Sequence, residues 1–387
     1  MSVANESIRH SIKHAGQAGC DNISPTIRRA FPHLSAAQVE EFGRELDAIR
    51  TRTVADLGAR DATYIRDMMK IQRRCEIGGR ALLFAGILPP AWLAGTALLS
   101  VAKILENMEI GHNVMHGQYD FMKDPALDGK KYDWDTACPG DTWRHSHNYV
   151  HHTFTNIVGK DRDVGYGILR MAEEQPWEPK YLGNPVYALA LALLFQWGVA
   201  LHDVETEKIF SGEKSLQQAL AELKIVWKKA RRQVLKDYVL FPALAGPFFL
   251  PVLAGNITAN AVRNVWAFAV IFCGHFPDGT VMFTEEETRN ETRGQWYLRQ
   301  LLGSANIKGG RLMHIATGNL SHQIEHHLFP DIPGHRYAEI APEVRALCAK
   351  YALPYNTGTM TRQFGTVVRR IFTLALPPRR RQEQALA

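Results

Sequence analysis

The chain has 387 residues, 46% hydrophobic and 22% charged, with a formal net charge of +6. That composition excludes a disordered chain and a protein buried in lipid along its whole length, so any membrane domain is a minority of the sequence. The five cysteines, Cys20, Cys75, Cys138, Cys273 and Cys348, are scattered and odd in number, which argues against a disulfide framework, an iron–sulfur cluster or a cysteine zinc ribbon.

Residues 1–65 read as a cytosolic N-terminal extension. They carry no secretory signal, and Ser35-Ala36-Ala37-Gln38 fits a capping box at a helix start. Residues 81–102 are uncharged but have Pro89-Pro90 in the middle. A proline pair there predicts a tight turn between two helices, the second running on through Lys103 and Glu106 toward His112. Residues 184–201 and 239–262 are also uncharged; the latter is interrupted by Pro242, Pro247 and Pro251, and 264–276 follows after Arg263.

Eight of the sixteen histidines fall into three clusters: His112 and His116; His147, His151 and His152; and His322, His326 and His327. Residues i and i+4 of a helix share a face, so each cluster can aim two or three imidazoles at one point. Eight imidazoles oversupply a single zinc and suit two metals; two imidazole-bound irons would point to dioxygen chemistry. There is no CxxCH for haem and no GxGxxG or Walker sequence for a flavin or nicotinamide domain, so electrons must come from elsewhere.

Clusters that share one site must lie on one side of a membrane. The number of crossings between His152 and His322 is then even. The expected spans are 77–88, 91–110, 238–255 and 257–276, with 184–201, only just long enough to cross, lying in the interface. Arg263 would sit near the far end of the second hairpin and snorkel. Lys70, Arg73, Arg74 and Arg80 precede the first hairpin, and Lys228, Lys229, Arg231, Arg232 and Lys236 the second, which puts those flanks, both termini and the histidines in the cytoplasm. Topology and anionic lipid then account for the basic excess, with no nucleic acid partner. In the C-terminal region Ile340, Val344 and Leu347 have helical packing spacing, and Pro377-Pro378-Arg379-Arg380-Arg381 reads as disordered or lipid-facing.

The three clusters resemble the HxxxH, HxxxHH and (H/Q)xxHH boxes of the membrane fatty-acid desaturase family. The likeness extends to 143–148, to Thr153-Phe154-Thr155-Asn156, to 300–306 and to 323–330, and covers roughly 66–354. Within the family, 102–112 and 271–279 are most similar to bacterial acyl-CoA desaturases of the stearoyl-CoA type. The resemblance implies an all-α integral membrane protein: a desaturase domain at 66–354, built from two transmembrane hairpins and a cytosolic helical cap holding a di-iron site, then a cytosolic tail at 355–387. It implies about nine iron ligands: His112, His116, His147, His151, His152, His326, His327, His275 at the end of the last membrane helix, and a ninth that is either His322 or Gln323, with His322 favoured because imidazole is the better ligand.

The implied reaction is O2-dependent insertion of a cis double bond into a long saturated acyl chain, stearoyl-CoA at the ninth carbon, or an acyl-lipid. Electrons would come from an external flavin and iron–sulfur reductase, and the location is the inner membrane. The same metal set also fits a lipid hydroxylase or alkane monooxygenase. A metal transporter or metal-binding protein would need polar residues inside the spans, which hold almost none. His145, His202, His314 and His335 read as supporting or structural, and Glu106, Glu109, Asp161, Asp163 and Glu325 as candidate partners for ligand N–H groups. Phe84 and Trp92 are candidates for setting the depth of an acyl channel.

Overall fold

Ser35 starts a helix as its capping box predicts: the Gln38 backbone N–H donates to the Ser35 hydroxyl at 3.3 Å, and the Gln38 side chain accepts from the Ser35 N–H at 2.9 Å. This opens α1, Ala36–Ala55. The computed structural model describes residues 23–378 apart from 203, 206 and 211. The arginine run 379–381 lies outside the described residues. α1 buries Val39, Phe42, Leu46 and Ile49 in one core with Tyr297, Leu328, Ile340 and Val344, so it is packed into the C-terminal half of the chain.

α2, Ala59–Phe84, runs unbroken through residues 65 and 66. A turn at 85–88 then leads to α3, Pro89–Ile104. The proline pair opens α3, where first-turn N–H groups have no helical partner to lose. Gly79 of α2 and Gly95 of α3 face each other so closely that a Cβ on either would lie within 3.0 Å of the other's carbonyl oxygen. Small residues at such a crossing let two apolar helices pack backbone to backbone. α3 continues as a π-helical turn, Leu105–His112, and a second π turn spans Arg144–His151.

α4, Asn184–Leu193, and α5, Phe195–His202, are bent 101° from one another, so the apolar run 184–201 is not one straight rod. α6, Leu216–Val234, continues through a π turn, Leu235–Leu240, and Phe241–Leu244. After a break at 245–248 comes α7, Phe249–His275, whose 27 residues reach about 40 Å. Among the described residues, one helix, Gly246–His275, is long and apolar enough to cross a membrane, and the bent α4–α5 pair would be a second if it is one span.

α7 corrects the expected second hairpin. The helix has no turn between 255 and 257; the break lies at 245–248, where Gly246 has φ 54 and Pro247 follows. Pro251 falls in the first turn of α7, where it is tolerated, and Gly255 packs against Leu83. Arg263 is therefore mid-helix and does not snorkel. It is 1% exposed and donates to Gln196 Oε1 at 2.7 Å, Asn264 Oδ1 at 3.0 Å and Asn260 Oδ1 at 3.2 Å. Nearby, buried Asp237 accepts from Lys103 at 2.6 Å, Arg80 at 3.1 Å and Asn260 at 3.2 Å, tying α2, α3 and α7 to the end of α6. Removing one partner of such a buried pair costs about 3–5 kcal/mol, because the other is left charged and dry.

After α7 come α8, Arg293–Leu302; β1, Asn306–Lys308; α9, Gln323–Leu328; α10, Tyr337–Lys350; β2, Thr357–Thr359; and α11, Met360–Ala375. β1 and β2 pair in parallel, Asn306 opposite Thr357. Ile340 and Val344 of α10 are buried and Leu347 packs beside them, as their spacing predicts.

Candidate metal centre

The first two histidine clusters straddle the ends of π turns: His112, His147 and His151 lie within them and His116 and His152 just past them. A π turn closes i to i+5 and is wider, so residues four and five apart come toward one side. His147 accordingly lies 5.0 Å, ring centre to ring centre, from both His151 and His152. His112 closes the other π turn and its ring is 4.6 Å from His116. The loop before α9 presses onto that turn at Gly318, whose φ is 65 and where a Cβ would sit 2.3 Å from the Met108 carbonyl. Only glycine meets both demands.

The imidazoles gather around two foci. Nitrogens of His112, His116, His147 and His326 lie within 4.8 Å of one another, as do those of His151, His275 and His327. His152 stands between, grouped with His326 and His327. His275 thus joins the boxes from the end of α7, its Nε2 3.2 Å from Nε2 of His327.

Five of the rings are turned by a partner on the outer nitrogen. His151 Nδ1 is 3.0 Å from both oxygens of Asp161, and His147 Nδ1 is 3.4 Å from Asp163. His112 Nδ1 meets Asn113 Oδ1 at 3.1 Å, His326 Nδ1 meets Tyr337 Oη at 3.2 Å, and His327 Nδ1 meets Gln300 Oε1 at 2.9 Å. The inward Nε2 atoms of His112, His147, His151 and His326 are buried with no hydrogen-bond partner among the described residues. Each unmet buried nitrogen costs about 1–3 kcal/mol, so four aimed inward together fit a metal-binding role. Burial holds His116, His147, His152, His326 and His327 below their ordinary pKa range, which keeps the rings neutral and able to donate a lone pair. Burial acts on His151 too, but Asp161 and Asp163 outweigh it and raise its pKa; the same carboxylates would stabilise a cation there.

His322 does not join the cluster. α9 begins at Gln323, and His322 precedes it with φ −103 and ψ 55, so it lacks the helical i−4 relation to His326, although imidazole is the better ligand. Its ring packs 4.6 Å from His314 instead. Gln323 takes the place beside the second focus, its side-chain nitrogen 3.0 Å from His275 Nε2.

The family profile described as fatty acid desaturase matches residues 89–359. The chain belongs to the fatty acid desaturase family. It is 48% identical over 359 residues to the NADPH-dependent stearoyl-CoA 9-desaturase of Mycobacterium tuberculosis, covering 92% of this chain and 84% of that one. It is also 26% identical over 290 residues to the sn-1 linoleoyl-lipid 6-desaturase of Synechocystis, covering 71% and 78%. A third relative, fatty acid desaturase 3 of Bos taurus, is 26% identical over 220 residues, covering 55% and 46%.

Of the five carboxylates expected near the boxes of this desaturase, Asp161 and Asp163 face histidines. Glu106 meets Tyr132, Glu109 meets Tyr64 and Asn319, and Glu325 meets Tyr355 and Asn306, with His322 Nδ1 3.7 Å away. His145 is exposed, His202 lies 3.6 Å from Asp163, and His335 pairs with Asp61. Sequence reasoning missed Gln300, which also donates to the His152 carbonyl at 3.1 Å and so ties the second box to the third. It missed Asn306 as well, whose Oδ1 accepts from the Ile324 N–H at 2.8 Å at the start of α9. Both lie in the 300–306 string that resembles the family, but nothing in their spacing marks a role.

A cavity opens between the foci, touching His112, His147, His151 and His275 and running among Phe195, Val199, Ala267 and Ile271. Phe84 and Trp92 do not line it. Phe84 is on the surface, and Trp92 donates to the Pro251 carbonyl at 3.0 Å, in the first turn of α7.

Proposed function

We propose that this desaturase inserts a cis double bond into a long saturated acyl-CoA, stearoyl-CoA at the ninth carbon, using O2 and electrons from a separate protein. The observation that carries the reading is the placing of buried imidazoles around two foci that open directly onto an apolar cavity. The 48% identity to a stearoyl-CoA 9-desaturase supports the substrate and the position.

His112, His116, His147 and His326 would hold one iron and His151, His275 and His327 the other, with His152 between and Gln323 completing the second site. Iron bound there supplies the dioxygen activation that cleavage of an unactivated C–H bond requires. The protein's own work is placement. Asp161, Asp163, Gln300 and Tyr337 fix the rings, while Phe195, Val199 and Ile271 hold a methylene pair away from water beside them.

The mycobacterial relative's name couples it to NADPH. This chain has no dinucleotide fingerprint, so a flavin and iron–sulfur reductase would stand between NADPH and the irons. In the membrane, α2 with α3 and the end of α6 with α7 would form two hairpins whose turns lie at 85–88 and 245–248, with both termini and all histidines on the cytoplasmic side of the inner membrane.

Fatty-acid profiling of a host that lacks the family, with and without this chain, tests the function. The expected product is a fatty acid unsaturated at the ninth carbon; a hydroxylated product would transfer the enzyme to the lipid hydroxylases.

A further inference from the structure

Three helical elements that wall the cavity follow one rule. Each contributes a histidine at its C-terminal end and, five to eleven residues earlier, a neutral amide to the cavity lining: His112 and Asn107 on the first π turn, His202 and Gln196 on α5, His275 and Asn264 on α7. Along α7 the eleven residues from His275 to Asn264 measure about 16 Å, and Ile271 and Ala267 line the stretch between. One helical turn past the amides the cavity is gone. Lys103 follows Asn107 and Asn260 follows Asn264, and both belong to the buried network around Asp237. Arg263, donating to Gln196 and Asn264, braces the amides from behind.

We propose that Asn107, Gln196 and Asn264 form the floor of the acyl cavity and set how long a chain the enzyme accepts beyond the reacting carbons. This rests on the desaturase reading of the site. A hydrocarbon end cannot push further without burying the network's polar groups unpaired, and such groups cost far more than a methylene gains. The floor cannot yield by side-chain movement alone, since Gln196 and Asn264 are each held by hydrogen bonds to Arg263. An apolar end wall would give with small rearrangements; this one is a fixed stop.

The test is a series of saturated acyl-CoAs of increasing length, given to the full-length enzyme with its electron supply, and scored for turnover and double-bond position. Asn264→Ala and Gln196→Ala deepen the cavity, and the ratio of turnover on a chain two carbons longer to that on stearoyl-CoA should rise by about tenfold, the scale of one or two methylenes in a fitted pocket. Ala267→Leu raises the floor by about one turn and should shift preference the opposite way, toward shorter chains. In all three the double bond should stay at the same carbon counted from the thioester, because the histidines have not moved. Length preference unchanged in both the deepening and the filling variants overturns the proposal. So does an equal loss of turnover at every length in the deepening variants combined with no shift in Ala267→Leu. A wild-type enzyme that makes no unsaturated product at any length would fail the desaturase reading instead, which is a separate result.

Discussion

Gln323 places its side-chain nitrogen 3.0 Å from Nε2 of His275. Amide nitrogen and oxygen are interchangeable in such an assignment, and Gln323 Oε1 has no partner of its own among the described residues, so a flipped amide would present an oxygen to the second focus. His322→Ala should therefore keep its metal content and most of its activity, whereas Gln323→Leu should lose activity and part of its bound iron. Metal analysis of the two purified variants decides it, and loss of iron from His322→Ala alone would reverse the assignment.

The rings are held by their outer partners. Asp161→Asn would weaken the hold on His151, and Gln300→Leu would leave His327 Nδ1 with only Thr155, at 3.3 Å. Loss of such a partner costs about 10–100-fold in metal affinity or activity. Both variants should lower iron retention during dialysis against a chelator without reducing the amount of folded protein, while replacement of His326 or His327 by Ala should abolish activity.

Topology follows from the turn at 245–248. In a cysteine-free background, Lys160→Cys should react with a membrane-impermeant reagent from the cytoplasmic side and Pro247→Cys from the opposite side. Labelling of both from one side rules out the second hairpin.

Electron supply should be external and electrostatic. Purified enzyme with NADPH alone should make no product. With a reductase added, activity should fall as ionic strength brings the Debye length down to about 8 Å, if the donor docks on the basic cytosolic face. Product formed with NADPH and no second protein contradicts this.

Much of the site was legible because histidine is rare and its clusters are local. His112, His116, His147, His151, His152, His326 and His327, which the fold brings close together, could be picked out from spacing, and His275 only through the family resemblance, since one histidine at a helix end has no pattern. His322 was favoured over Gln323 on ligand chemistry, and spacing does not record that α9 begins only at Gln323. The first hairpin announced itself in Pro89-Pro90. The second did not, because the prolines at 242, 247 and 251 all break the same run, and which one marks the turn depends on backbone hydrogen bonding that composition does not record. Gln300 and Arg263 were out of reach for a third reason: their roles are set by partners distant in sequence, His152 for Gln300 and Gln196 for Arg263.

The two π turns have a consequence for the life of the protein in the cell. A π turn is a poor competitor of the α-helix on its own, and here two of them carry His112, His147 and His151 toward the two foci. Metal that binds only this arrangement stabilises it by mass action, so the loaded and empty forms should differ most at 105–112 and 144–151. Protease digestion of chelated enzyme should cut first in those segments, and protection there should return when iron does. An organism short of iron would then hold less desaturase, not idle desaturase, and its membranes would stiffen through protein turnover before any gene was switched off.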